Sequence, residues 1–472
     1  MFIEHGGFFE KLNDIPYHSD EGYQRFRPLF NFILSELNKM LEESSANETI
    51  KHDAYAEILN DWLGYVKRLN SRKESMFGYP GNLTKRSFLV DFFRIMESFE
   101  VFQNNCGNIL DISDIESSDE FSVKQTNNNY AMDTKSIEWD IVRLVADNLG
   151  LPEQPKLVVI SKNPKLYKQG FWGYVTSGSS ESNMWGIQQG FKIYPNGVLY
   201  FCESSHYSIH KAGKPFSYKI IPQKSVNSEA IDYDILLREV ESGWCEYKNP
   251  AIIVLTFGTT KYGSVDDIAL IKQGLVRLGI PHYMHIDAAF FGGIPKNQDN
   301  SPKIGDVEEW GYDSIGVSLH KYIGYPAAKG VLISVKRPSG EFIDYIGQVD
   351  NTVLGSRDIP AFSLKQQVME ILKYSDPKDY IRNIDVFEDM LNMAKIKFIS
   401  WRDGKRKGNT FVFKVNKCIE EYHSICKRWQ LSEFVSKDGF DLVHVIIFPS
   451  HTQKNITLLV KDLAKITDGV DQ

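Results

Sequence analysis

The chain is 472 residues long, 42% hydrophobic and 24% charged, a composition that folds and leaves room for one large core and smaller units. Its 54 Lys and Arg face 61 Asp and Glu, a formal net charge of -7, so there is no global basic field for nucleic acid or an anionic membrane surface, and any bound anion must be caught locally. No apolar stretch nears the roughly 18 residues of a membrane span. The opening MFIEHGGFFEKLND has no basic-then-apolar leader pattern. The five scattered cysteines (Cys106, Cys202, Cys245, Cys418, Cys426) include no Cys-x-x-Cys pair. Together these features predict a reduced, cytoplasmic protein with no metal site of the zinc-ribbon type.

In chain order, residues 1–75 carry Phe30, Phe32, Leu34, Leu37 and Leu41 at helix-like spacing, which predicts a helical arm. Gly78-Tyr79-Pro80-Gly81-Asn82 is a turn signal that closes it. The polar stretch 111–129 reads as a solvated surface loop. From about 170 to 335, short β-branched runs alternate with amphipathic stretches of helix length, the pattern of an α/β unit. Predicted strands are Phe171–Thr176, Val198–Cys202, Lys219–Ile221, Ala251–Thr256, Tyr283–Ile286, Ser314–Val317 and Val331–Ser334. Predicted helices are Glu181–Gln189, Asp232–Glu241 and Asp266–Leu278. Continuous apolar strands such as AIIVL belong to a mostly parallel sheet buried on both faces. The division that follows is an arm (1–75), a large domain (76–335) and a small C-terminal α+β domain (336–472).

Four polar clusters each follow a predicted strand, where an open α/β sheet places its ligands. Thr176-Ser177-Gly178-Ser179-Ser180-Glu181-Ser182-Asn183 offers small residues, hydroxyls and the free amides of a starting helix, which suit a phosphate; it also reads as a plain N-cap and turn. In Glu203-Ser204-Ser205-His206-Tyr207-Ser208 a histidine is placed to stack on a flat ring; an ordinary hydrogen-bonded histidine is the plainer alternative. In Tyr283-Met284-His285-Ile286-Asp287-Ala288-Ala289 a strand ends in a carboxylate that would keep a ring nitrogen protonated, with alanines for the ring to lie against; an acidic helix cap is the plainer alternative. In Ser314-Ile315-Gly316-Val317-Ser318-Leu319-His320-Lys321 a lysine directly after an apolar strand is suited to Schiff-base chemistry, because desolvation favours its neutral, nucleophilic form; taken alone, a His-Lys pair also reads as a plain surface loop. There is no His/Cys set with metal-ligand spacing and no nucleotide P-loop.

As a set, and in this order, these clusters resemble the pyridoxal-phosphate (PLP)-dependent group II amino-acid decarboxylases, within them the branch of bacterial histidine decarboxylases and plant serine decarboxylases. The residues that carry the resemblance are Trp172–Asn183, Ser205–Ser208, Phe257-Gly258-Thr259-Thr260 with Gly263–Asp267, His285–Ala289 and His320-Lys321. Gly78-Tyr79-Pro80, Asp344–Gly347 and Gly355-Ser356-Arg357 match further family segments, so it spans roughly residues 78–360.

The resemblance implies an α/β fold of the PLP-dependent transferase fold type I (aspartate-aminotransferase-like) class, and pyridoxal 5'-phosphate as cofactor. It implies that Lys321 holds the cofactor covalently, Asp287 pairs with its ring nitrogen, His206 stacks on one face and Ala289 packs on the other. Ser179, Ser180, Ser318 and His320 would bind the phosphate, and Thr260 would lie near the ring 3-oxygen. The family pattern further implies a homodimer with shared sites, to which Ser356 contributes, and a mobile-loop tyrosine, here Tyr345, as proton donor. The expected activity is decarboxylation of an L-amino acid, histidine first and serine second. An aminotransferase, an aldehyde-releasing lyase of the same fold and a non-catalytic paralogue are the alternatives. Three departures from the family pattern stand out: Leu319 before His320-Lys321 bears on the local backbone and phosphate contacts, Asp358-Ile359-Pro360 after Arg357 on the substrate, and the polar stretch 111–129 on the entrance.

Overall fold

The computed structural model describes residues 75–78, 88–100, 105–109, 134–152 and 170–467 except 306 and 345–347, together with 61, 64–65 and 81–82. Apart from isolated positions, the arm expected over 1–75 lies outside these residues, as do the stretch 111–129 and Tyr345.

Seven strands form the central sheet: β1 (Trp172–Thr176), β2 (Val198–Cys202), β3 (Tyr218–Ile221), β4 (Ala251–Thr256), β5 (His282–Asp287), β6 (Ser314–Ser318) and β7 (Gly330–Ser334). Their spatial order is β1-β7-β6-β5-β4-β2-β3. Only β7 runs against its neighbours, β1 and β6; the other pairs are parallel. Strands β1 to β6 therefore point the same way, and their carboxyl ends share one edge. Each strand agrees with the sequence expectation to within one residue at either end, because β-branched runs bounded by turn residues carry the signal.

The core sits on both faces of this sheet. All six residues of β4 are buried, and Ile252, Ile253 and Leu255 have no exposed surface. Each such side chain contributes about 1.5–3 kcal/mol. The described helices of this part longer than one turn are α1 (Phe88–Glu100), α2 (Lys135–Asn148), α3 (Ser179–Ile193), α4 (Tyr207–Gly213), α5 (Tyr233–Tyr247) and α6 (Ile268–Leu278). Asp232 and Asp267 cap α5 and α6 by accepting from the amides of Ile235 (2.9 Å) and Leu270 (3.1 Å); a capping aspartate stands just before the helix, so α6 starts later than Asp266. α3 runs past the expected end at Gln189 because Gly190 does not break it. A Cβ at Gly190 would lie 2.6 Å from Ile252, so this glycine lets α3 press onto the sheet.

Beyond residue 335, the helix α7 (Ala361–Tyr374) packs against α1 and α2. The Glu97 carboxylate accepts from the amides of Phe362 (2.6 Å) and Ser363 (3.3 Å), closing the start of α7. Farther on, β8 (Thr410–Lys414), β9 (Ser432–Val435) and β10 (Asp441–Ile446) make an antiparallel sheet in the order β8-β10-β9, flanked by helices Asp379–Met393, Tyr422–Trp429 and Gln453–Thr467. Phe77 anchors its segment to this part: its amide donates to the Trp429 carbonyl at 3.1 Å and its ring lies 4.0 Å from that of His451. Among the described residues, no helix is long and apolar enough to cross a membrane.

Candidate active site

The shared strand direction gathers at one sheet edge the residues after β1 (Ser177–Ser180), β2 (Ser205–Ser208), β4 (Phe257–Thr260), β5 (Asp287–Ala289) and β6 (Ser318–Lys321). Five segments far apart in sequence thus meet at one place.

The segment after β1 is built to present amides. Gly178 takes φ +123, a conformation that glycine adopts at little cost, and α3 begins at Ser179 with first-turn N–H groups that have no acceptor inside the helix. The Ser318 hydroxyl donates to the Ser179 hydroxyl at 2.9 Å, joining the ends of β6 and β1. Thr176 donates to the Gly178 carbonyl (3.1 Å), while Glu181 accepts from the Ser177 amide (2.7 Å) and the Tyr174 hydroxyl (3.0 Å). A Cβ on Gly178 would meet only His320, 3.6 Å away, so His320 borders the same space. Its Nδ1 lies 3.1 Å from the Lys329 carbonyl; a carbonyl only accepts, so Nδ1 carries the proton and Nε2 is left for a ligand. Burial lowers the His320 pKa, as does neighbouring Lys321, while its bond to Lys329 opposes them.

The second half of the site is a carboxylate facing a lysine. Asp287 is 3% exposed. It accepts from the Asn183 side-chain amide at Oδ2 (2.8 Å) and from the Ala289 backbone amide at Oδ1 (3.0 Å), both neutral donors. Burial pulls the Lys321 ammonium below its ordinary value, and the Asp287 charge opposes that shift. The two groups feel one another, yet no ion pair among the described residues joins them. His206 senses the same space: burial lowers its pKa, Asp287 raises it and Lys321 lowers it again. Its Nδ1 accepts from the Ser208 hydroxyl (2.8 Å) and amide (3.3 Å), which fixes the ring at the start of α4. Three titratable side chains therefore surround one space without bonding to each other.

Known proteins give this arrangement a family. Residues 171–339 match the pyridoxal-dependent decarboxylase conserved domain. The chain is 28% identical over 440 residues to serine decarboxylase 2 of Oryza sativa subsp. japonica, covering 90% of this chain and 82% of that protein. It is 31% identical over 288 residues to a histidine decarboxylase of Acinetobacter baumannii, covering 60% of this chain and 64%, under two thirds, of the relative. Residues 171–339 thus carry the conserved domain of the pyridoxal-dependent decarboxylases. The chain is accordingly a carboxy-lyase whose cofactor is pyridoxal 5'-phosphate. In fold it matches L-methionine decarboxylase from Streptomyces sp.590, with a TM-score of 0.69 at 18% identity over 88% of this chain and 95% of that one, which agrees with fold type I.

The site fits such a cofactor on its own chemistry. An amine with no hydrogen-bond or ion-pair partner among the described residues, a buried carboxylate held only by neutral donors, and a hydroxyl-lined helix start suit in turn an aldehyde, a basic ring nitrogen and a phosphate.

The remaining expected residues fall unevenly. Ala289 is buried beside Asp287, whereas Ser180 and Thr260 are exposed at the site edge. Ser356 lies exposed on a two-residue ladder with Asn105–Cys106, its hydroxyl 3.8 Å from Cys106 Sγ. Asp287 is no helix cap, since the chain continues into a 3-10 turn at Phe291–Gly293.

Sequence reasoning gave no role to Asn183, Ser208, His285 or Ser314, all of which form the wall behind Asp287. A signal for them existed. Tyr283, His285 and Asp287 occupy alternate positions of a strand buried on both faces, so one face carries only polar groups, where apolar residues are the rule.

Proposed function

We propose that this carboxy-lyase acts on a small or medium polar L-amino acid, L-histidine first and L-serine second, releasing carbon dioxide and the amine. The observation that carries the reading is the lysine amine that feels a buried carboxylate without touching it. The higher identity to the histidine decarboxylases supports histidine, and the longer alignment with the rice enzyme supports serine as the second choice. Of the arginines that an aminotransferase would turn to a substrate carboxylate, Arg382 pairs with Asp379, Arg402 with Glu388, Arg406 with Asp403 and Arg428 with Asp462. These partners favour decarboxylation over amino transfer.

In this reading Lys321 is the covalent attachment point, and its burial favours the neutral amine that attacks a carbonyl. Asp287 holds a proton on the ring nitrogen through its charge. His206 and Ala289 would hold the ring between them, and Thr260 would approach its 3-oxygen. Ser179, Ser180, Ser318 and His320 hold the phosphate at the start of α3. Once bound, the cofactor supplies an electron sink for the pair left on the α-carbon as carbon dioxide departs. Tyr345 returns a proton to that carbon. Ser356 serves the site of a second copy, making the protein a cytoplasmic homodimer.

The test is to incubate holoenzyme with single L-amino acids while measuring carbon dioxide, amine and keto acid. Histamine as the leading product supports the full reading. A different amine overturns the choice of substrate, and keto acid as the main product overturns decarboxylation.

A further inference from the structure

Behind Asp287 lies a chain of side chains that never reaches the site surface. Tyr283 donates from its hydroxyl to Ser314 Oγ at 2.8 Å. Ser314 Oγ is 2.8 Å from His285 Nδ1, His285 Nε2 is 3.1 Å from Asn183 Oδ1, and Asn183 Nδ2 is 2.8 Å from Asp287 Oδ2. The direction of every bond follows from one end. An ionised carboxylate only accepts, so Asn183 turns its NH2 to Asp287 and its carbonyl to His285; His285 must then donate from Nε2 and accept at Nδ1 from Ser314. Burial holds His285 down at about 4 and pushes the Tyr283 phenol up, so both stay neutral in the working range. Asn183 also donates to Ser208 Oγ (3.2 Å), whose hydroxyl donates to His206 Nδ1. One asparagine therefore fixes both the carboxylate and the histidine of the site. The helix makes room for this arrangement: a Cβ on Gly186 would lie 2.3 Å from His285 Nδ1, inside the imidazole.

We propose that Asn183 is the positioning residue of this site, orienting Asp287 and His206 together, and that His285, seated on Gly186, orients Asn183. The proposal rests on the reading of Asp287 as the partner of the cofactor ring nitrogen. A wholly neutral chain fixes the geometry of Asp287 without neutralising it, which leaves its full charge for that nitrogen.

The test compares Asn183→Leu, His285→Phe, Gly186→Ala and the double variant Asn183→Leu/His285→Phe with wild type. The readouts are PLP affinity, from fluorescence titration of the apoprotein, and the pH dependence of the bound cofactor's visible band. Each single change is expected to weaken PLP binding about 10-fold or more and to shift the band or its pH midpoint. The double variant should be no worse than the poorer single one, because both act through one chain. Affinities within about twofold of wild type and an unchanged band would overturn the proposal. Should His285→Phe fail to fold, Ser314→Ala removes a single hydroxyl and carries the same expectation in milder form. Asp287→Ala separates the two levels. If it too leaves the band and turnover unchanged, the reading of Asp287 fails; if it is disabled while Asn183→Leu behaves as wild type, only the proposal fails.

Discussion

Two buried carboxylates of this molecule meet opposite fates. Glu138, on α2 and without exposed surface, forms an ion pair with Arg357, whose side chain is 3% exposed. It also accepts from Asn105 (2.8 Å) and the Val175 amide (2.9 Å), so its charge is cancelled and its lone pairs are filled. Arg357 in turn donates to the Gly107 carbonyl (3.0 Å) and lies over the Tyr174 ring. Asp287 is equally buried but meets only neutral donors and an amine kept at a distance. A cancelled buried charge holds a fold together, whereas one left standing is held for a ligand, because burial without compensation costs stability. The pair at Glu138 ties the segment before α7 to the edge of β1, next to the loop that presents Ser179.

This contrast predicts that substitutions in the two regions separate activity from stability. The largest effect belongs to the site: Lys321→Ala should cut turnover by about 10⁴-fold or more and abolish the cofactor's visible band, while the apoprotein melts no earlier than wild type. A melting temperature well below wild type would show that the amine is structural. Glu138→Ala should do the reverse, costing about 3–5 kcal/mol because Arg357 is left buried and unpaired; denaturant unfolding measures it, and a loss under about 1 kcal/mol would break the comparison.

Asp266 lies between these extremes. It is buried and accepts from the amides of Ile231 (2.7 Å) and Thr256 (2.6 Å), and burial raises its pKa to about 6 against the ordinary 3.8. A raised acid binds its proton more tightly in the folded state, so its contribution is complete below about 4 and is lost as pH climbs through about 6. Over that window it should remove about 3 kcal/mol of stability, from the shift and about 1.4 kcal/mol per unit. Unfolding curves at several pH values check this, and Asp266→Asn should flatten the slope. The smallest effect is expected where both charges face water: Lys219→Ala breaks the exposed pair with Glu239 and should change stability by no more than about 1 kcal/mol.

Much of the fold was legible because its signals are local. Val198–Cys202 and Ala251–Thr256 are bounded by turns and rich in β-branched or aromatic residues, and both strands appear where their patterns begin and end. The helix Lys135–Asn148 went unremarked, since it stands beside the polar stretch 111–129 and joins the fold through long-range contacts such as Asn105 to the Thr134 amide (2.9 Å). The convergence of Lys321, Asp287 and His206 on one sheet edge was legible from motif and strand end together. Asn183 and His285 were not, because their meaning lies in a bond between residues 102 apart in sequence. Motif reading names the residues at the strand ends, and only three-dimensional packing reveals the hydrogen-bonded side chains behind them.

The most direct test of the account is to locate the covalent attachment. Holoenzyme treated with borohydride, digested and sequenced by mass spectrometry should carry the reduced PLP group on Lys321 and on no other lysine. Modification of a different lysine, or a protein that retains its cofactor with Lys321 unmodified, would contradict it.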